Sequence, residues 1–410
     1  MTPHLVLAHE ARCTTRMPLD REMPLSTILE TKVLEWLGGQ KQAMIDQLQL
    51  LVDTDSGSYD KDGVDQVGEH IRNFLVEAGL KCETIPNPRF GDGLRATLGE
   101  PDEQRRPILL MGHRDTVFPQ GEAQRRPFRI EGERAYGPGV ADMKAGLVMN
   151  SFVLAAFARF GAPGPLVGLY TSDEEIASPT SRALIEQEAC RARAVFNAEP
   201  GRPSGNVVTG RKGGMFMRME IQGVPAHSGV NFEQGVSAIE ELARKMSALH
   251  ALTDLTRGVT LNVGLVSGGM SVNTVAPHAC AEIDLRYVEP QDRAEVAAKI
   301  EKIVATSYVK GTTANLQILG EFVPLVPTEA SHRLFELYAA CAHRIGLKIG
   351  AEFTGGCADS GFAGAMGTPT LCATGPCGAK AHSPDEYLEL ATIVPRAQAL
   401  ALSILALGAS

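Results

Sequence analysis

Short apolar runs in this chain repeatedly end within a few residues of a side chain that can ligate a metal. Ile108-Leu109-Leu110-Met111 runs into Gly-His113-Arg-Asp115, Leu166 to Tyr170 into Thr-Ser-Asp-Glu174-Glu175, and Ala194 to Asn197 into Ala-Glu199. A brief, unbroken apolar run reads as a strand buried on both faces, which implies a parallel sheet covered by helices. Sheets of that kind present their functional groups just beyond the carboxyl ends of the strands. Two further segments offer ligands from loops: Asp142 in Pro-Gly-Val-Ala-Asp-Met-Lys and His382 in Lys-Ala-His-Ser-Pro.

The rest of the chain fits the same architecture. Val64, Val67, Ile71, Phe74, Leu75 and Ala78 recur at helical spacing and Gly79 closes the segment, then Lys81 to Ile85 reads as a strand. Ala145 to Phe160 reads as a helix between buried strands. Near Gly210 the pattern changes. Gly214 to Gln222, Val259 to Val266 and Ala279 to Tyr287 alternate like half-exposed strands, separated in part by helices over Val236 to Leu249 and Asp292 to Ala305. After about Glu321 the α/β pattern resumes, with helices at His332 to Ile345 and Leu388 to Leu407 and a strand around Thr370 to Cys372. The expected fold is α/β, a mostly parallel sheet flanked by helices, with an inserted α+β antiparallel-sheet lid. Residues 1–25 are expected to be a frayed extension from an upstream start, with Met17 or Met23 nearer the true one. The catalytic domain then spans 26–211 and 321–410, split around an insert at 212–320.

Bulk properties narrow the function. A chain of 410 residues exceeds one comfortable core. Net charge is −9 with no basic stripe, which argues against nucleic acid as a partner. The longest apolar stretches, such as Ala399 to Leu407, fall short of a spanning helix, so no membrane segment is expected. Eight scattered cysteines form no Cys-x-x-Cys pair, and reduced thiols in the cytoplasm are expected.

Each candidate motif is weak alone. A His-x-Asp is usually structural, an Asp in a turn usually serves local hydrogen bonds, and a Glu-Glu pair is usually a solvated face. Their joint occurrence at strand ends carries the argument. Two imidazoles and several carboxylates suit a pair of zinc-like cations, with one Asp bridging them and a spare Glu acting as general base. That combination describes a hydrolase.

Further stretches strengthen the pattern: Arg134-Ala-Tyr-Gly-Pro-Gly-Val-Ala-Asp142-Met-Lys-Ala-Gly, Pro225-Ala-His227-Ser-Gly, Ser271-Val-Asn273-Thr-Val-Ala-Pro and Gly355-Gly-Cys-Ala-Asp359. With the ligand motifs, in this order, they resemble the dinuclear zinc peptidases and amidohydrolases of metallopeptidase clan MH. The resemblance runs from about Ser26 to the C-terminus and lies nearest the glutamate-carboxypeptidase-like branch.

It implies two zinc ions, or other divalent cations such as cobalt or manganese. One would be held by His113, Glu199 and bridging Asp142, the other by Asp142, Glu175 and His382. Asp115 would fix the orientation of His113, and Glu174 would be the general base. Adjacent side chains project differently, so one of Glu174 and Glu175 ligates and the other reaches the water; only the resemblance says which. His227 would stabilise the oxyanion, often in a partner subunit's site. Asn273 and Arg286 would hold the substrate's carboxylate or carbonyl, and Gly355 and Gly356 would offer backbone N–H donors. Asp359 is expected to orient His382 or, on the safer reading, to cap the following helix, Gly213-Gly214 to act as a hinge, and the Asp142–Met143 peptide to be cis.

The substrate implied is a peptide or N-acyl amino acid, and the assembly a homodimer through the lid. Folate-cleaving relatives grip glutamate with basic residues, whereas Gly205 to Val208 and Gln317 to Glu321 carry none here, and Cys357 stands where many relatives have Gly or Ser. Two other classes compete: a binding protein on a dead hydrolase fold, and a Cys357 thiolate enzyme. The intact ligand set opposes the first, and the lack of a neighbouring His pattern opposes the second.

Overall fold

The computed structural model describes residues 25–100 and 105–408. The expected N-terminal extension lies outside them, save Leu25, which opens the first helix.

A six-stranded sheet organises the larger part of the chain, in the order Lys81–Ile85, Gly93–Leu98, Leu166–Thr171, Ile108–His113, Ala194–Asn197 and Thr370–Leu371. The last four run parallel, and the first two add an antiparallel hairpin at one edge. The strands at Ile108, Leu166 and Ala194 are buried at every position, as their unbroken apolar runs require. Alternate residues serve opposite faces. Ile108, Leu110 and Phe196 pack in one core with helices Lys41–Val52, Ala145–Phe160 and Ile393–Gly408. Leu109, Met111, Val167, Leu169 and Val195 pack on the other side against Ile185, Ala189 and Phe362. With helices on both faces, the carboxyl ends of the strands are left to carry the site.

Residues 213–322 build a separate antiparallel sheet, ordered Thr260–Gly268, His278–Tyr287, Gly213–Gln222 and Thr313–Phe322. Helices Ala238–His250 and Pro290–Ala305 cover it around their own core, which includes Met217, Ile221, Leu242, Ile283 and Ile300. Ser237 accepts the N–H of Glu240 as an N-cap, and Pro290 sits where a helix start needs no N–H donor.

Several local expectations need correction. The last helix begins at Ile393, not Leu388, because Tyr387–Glu389 is a strand paired with Arg134–Tyr136. Gly213 and Gly214 lie inside a regular strand, where a Cβ would come within 2.5 Å of the Tyr287 ring and 2.7 Å of Cys357 Sγ. They allow close packing at the junction, and no turn there requires them. Two runs, Val140–Phe160 and Leu390–Gly408, reach the length and apolarity of a membrane span, although the first is broken by non-helical backbone at Asp142 and Met143. The first is 94% buried inside the fold and the second 56%, so core packing accounts for most of their apolar character.

Candidate metal centre

Five loops converge beyond the strand ends. His113 closes its strand, and its Nδ1 lies 2.9 Å from the Asp115 backbone carbonyl and 3.4 Å from that residue's Oδ1. A proton on Nδ1 leaves Nε2 bare, the form a metal takes. That Nε2 stands 3.4 Å from Asp142 Oδ1, 3.6 Å from Glu199 Oε1 and 3.9 Å from Glu174 Oε2. The other Asp142 oxygen lies 3.4 Å from His382 Nε2, which in turn is 3.2 Å from Glu175 Oε2. Asp142 thus lies between two imidazoles, with Glu199 beside one and Glu175 beside the other.

The surrounding backbone sets this geometry. Asp142–Met143 is a cis peptide, as the resemblance implies. Buried Glu386 accepts the N–H groups of Ala141 at 2.8 Å and Asp142 at 3.0 Å, fixing the loop that carries Asp142. Asp115 accepts the N–H of Glu174 and of Glu175, each at 3.1 Å, and the hydroxyl of Ser58 at 2.7 Å. His382 has φ of +62°, an unusual left-handed conformation outside glycine, in its loop beside Asp142 and Glu175.

The electrostatics are those of a cluster short of positive charge. Burial pushes the Glu174 carboxyl well up, and the charges of Glu199, Asp359 and Glu175 add to it. Burial likewise raises Glu175 to about 7. Hydrogen bonds to Asp142 and Glu175 lift His382 to about 10. Burial pulls His113 down, but Asp115 and Asp142 outweigh it and leave the imidazole well above its usual value. His113 Nε2, Glu175 Oε1 and Glu199 Oε1 are buried without a hydrogen-bond partner. Buried polar atoms left unpaired in this way are costly unless something satisfies them. Ligand atoms of His113, Asp142 and Glu175 also lie within 4.8 Å of one another, so the donor set fits divalent cations.

Not every expected residue joins this cluster. His227 is exposed in the lid, its Nδ1 accepting the Gly229 N–H at 3.1 Å and its own N–H donating to Asn231 Oδ1 at 3.0 Å. Asn273 is exposed beside it, its carbonyl accepting the Ser228 N–H and its side chain the Ser271 hydroxyl. Arg286 pairs with Asp284 at 2.8 Å, contacts Cys357 Sγ and lies over the Phe216 ring. Gly355 and Gly356 are exposed, and Arg211 Nη1 donates to the Gly356 carbonyl at 3.2 Å. Asp359 does not cap its helix through its side chain. It accepts the hydroxyls of Ser178 and Thr171 instead, linking the helix Ser360–Ala365 to the Glu174 loop.

Sequence reasoning missed Glu386, Arg211 and Ser58. Glu386 lies four residues past His382 in one loop, and that proximity was the available signal. Arg211 and Ser58 had none, since their partners come from distant segments.

A parallel α/β sheet with a carboxylate–imidazole cluster at its strand ends defines a hydrolase of the metallopeptidase type. The chain belongs to peptidase family M20/M25/M40, whose model matches residues 109–406. It is 26% identical over 377 residues to carboxypeptidase G2 of Pseudomonas sp. (strain RS-16), covering 90% of each chain. It is 28% identical over 354 residues to acetylornithine deacetylase of Pasteurella multocida (strain Pm70), covering 81% of this chain and 88% of that one. The fold matches the M20 family metallo-carboxypeptidase Sso-CP2 of Sulfolobus solfataricus with a TM-score of 0.77 at 18% identity, over 90% of this chain and 99% of that one.

Proposed function

We propose that this protein uses two divalent cations, zinc in the first instance, to hydrolyse a peptide or N-acyl amide bond next to a free carboxylate. The observation that carries the reading is Asp142, with one carboxylate oxygen facing His113 and the other facing His382. His113 and Glu199 would hold one cation, Glu175 and His382 the other, and Asp142 both. When bound, the cations would polarise the scissile carbonyl and acidify water.

Glu174 is the proton carrier in this reading. Its carboxylate stands beside the ligands, 3.9 Å from His113 Nε2, while its backbone N–H is fixed by Asp115. It would take a proton from the attacking water and hand it to the leaving nitrogen. Arg286 would meet the substrate's carboxylate after exchanging its present partner, Asp284, and Asn273 would assist. His227 would donate to the developing oxyanion once the lid has closed or a partner subunit has supplied it.

A homodimer through the lid belongs to the same proposal. The strand Thr260–Gly268 is a sheet edge, and Leu265, Val266, Met270 and Val272 are exposed on and just beyond it. An open apolar edge favours pairing with a second copy. The test is a panel of dipeptides, N-acyl amino acids and carbamoyl amino acids with zinc-loaded protein, then with EDTA and zinc restored. Hydrolysis that EDTA abolishes and zinc returns supports the reading. Hydrolysis indifferent to EDTA, or none across the panel, rejects it.

A further inference from the structure

A cleft of about 580 Å³ opens directly beside the metal cluster, with Glu175 in its lining. Tyr59, Val117, Phe118, Pro119 and Ile176 give it apolar surface, and Gly57, Ser58, Thr116 and Gln120 also line it. Its lining holds no Lys, Arg or His, and both of its charged residues, Asp60 and Glu175, are acids. The guanidinium of Arg126 lies 4.7 Å from the Phe118 ring centroid, but it pairs with Glu122 and the Pro384 carbonyl.

The two walls are tied together. Thr116 donates its N–H to the Ser56 carbonyl at 2.8 Å, and Ser58 returns one to Thr116 at 3.3 Å. The Asp55 carboxylate accepts the N–H groups of Gly121 at 2.7 Å and Ala123 at 2.8 Å. A Cβ on Gly57 would meet the Phe118 carbonyl oxygen at 2.5 Å, so only glycine permits this approach. The two loops that line the cleft are therefore fixed against each other by their own backbone. Ser58 also donates to Asp115, which anchors Glu174 and Glu175.

We infer that this cleft is the subsite for the half of the substrate that lacks the carboxylate, and that this half is a bulky, uncharged, preferably aromatic acyl group. The inference rests on the hydrolase reading and extends it to substrate class. Glu175 would be neutralised as a metal ligand, but Asp60 remains and no Lys, Arg or His lines the cleft to pair with a carboxylate, which assigns the charged half elsewhere. Tyr59 at the mouth and Phe118 in the wall provide ring surfaces, and aromatic pairs gain beyond mere area burial. An acetyl group would leave most of the cleft filled with water.

The experiment compares N-benzoyl, N-naphthoyl, N-acetyl and N-succinyl derivatives of one amino acid on the zinc-loaded protein. Aromatic acyl groups should exceed acetyl in kcat/KM by roughly tenfold or more, with succinyl the poorest. Tyr59→Ala, at an exposed position that should not disturb folding, should shrink the benzoyl-to-acetyl ratio. Hydrolysis with no aromatic preference, or with succinyl favoured, would overturn this inference alone. No hydrolysis of any member would overturn the hydrolase reading and this inference with it.

Discussion

The Asp115 carboxylate accepts the backbone N–H of Glu174 at 3.1 Å. The bond ties the strand-end loop of His113 to the loop that carries both glutamates, and the second Asp115 oxygen repeats it at Glu175. Asp115 is fully buried, so its three hydrogen-bond donors have no water to replace it. Asp115→Ala should therefore loosen both glutamates while leaving His113 its carbonyl contact. We expect metal affinity to fall roughly 10–100-fold, the usual effect of losing a partner that orients metal ligands. Metal titration by calorimetry checks this, and unchanged affinity would contradict it.

Glu174→Gln keeps shape and volume but removes proton acceptance. Turnover should drop by roughly 10²–10⁴-fold or more while bound metal stays at its wild-type level. Steady-state kinetics paired with elemental analysis decides the matter. Retained activity with retained metal would move the base to another residue.

The two faces of Asp142 predict an asymmetry between ligand substitutions. Asp142→Ala removes the one carboxylate facing both imidazoles and should abolish binding of both cations. His113→Ala should weaken mainly one. Stoichiometries near zero and near one, against two in the wild type, are the expected readings. A wild type that saturates with one metal would end the dinuclear proposal.

What the sequence revealed and what it hid follow from the same physics. His113, Glu174 and Glu199 were legible because each follows a strand whose apolar run announces it. Asp142 and His382 were legible through motif resemblance. Glu386 was missed although it stands four residues past His382, because it acts on backbone N–H groups 244 to 247 residues away, and a backbone partner leaves no mark on side-chain pattern. The start of the last helix was misread for a related reason. Leu388 extends the apolar pattern of the helix that follows, but pairing with Arg134–Tyr136 claims Tyr387–Glu389 as strand. Tertiary pairing overrode local propensity.

In the lid, Glu241 and Lys245 form a buried ion pair at 2.9 Å. Lys245 donates to the carbonyls of Ile303 and Val304, and Glu241 accepts the N–H groups of Tyr308 and Val309. Burial alone would raise the Glu241 carboxyl, but Lys245 and these N–H donors hold it below its ordinary value of 4.5. A depressed folded-state value makes its stabilisation fully present above pH 4.5 and lost as pH falls through the lower value. Lys245→Met should cost about 3–5 kcal/mol, because it strands a buried charge. It should also weaken the acid sensitivity of lid unfolding. Urea melts at pH 7 and pH 3.5 test both, and an equal loss of stability at the two pH values would refute the pairing argument.

The exposed position of His227 makes the sharpest test of assembly. In this conformation it pairs only within the lid, with Asn231 and Gly229, so a part in the reaction requires lid closure or a second subunit. His227→Ala should lower turnover strongly and leave metal content and dimerisation intact. Mixing then separates the two routes. Dimers combining one Glu174→Gln chain with one His227→Ala chain contain one complete site if the imidazole crosses the interface, and none if it acts within its own chain. Recovery of activity on subunit exchange is the result expected for the partner-supplied route. Light scattering at the mass of a monomer would exclude that route while leaving closure within one chain. A kinetically silent His227→Ala would reduce this histidine to a turn residue and leave the oxyanion to other donors.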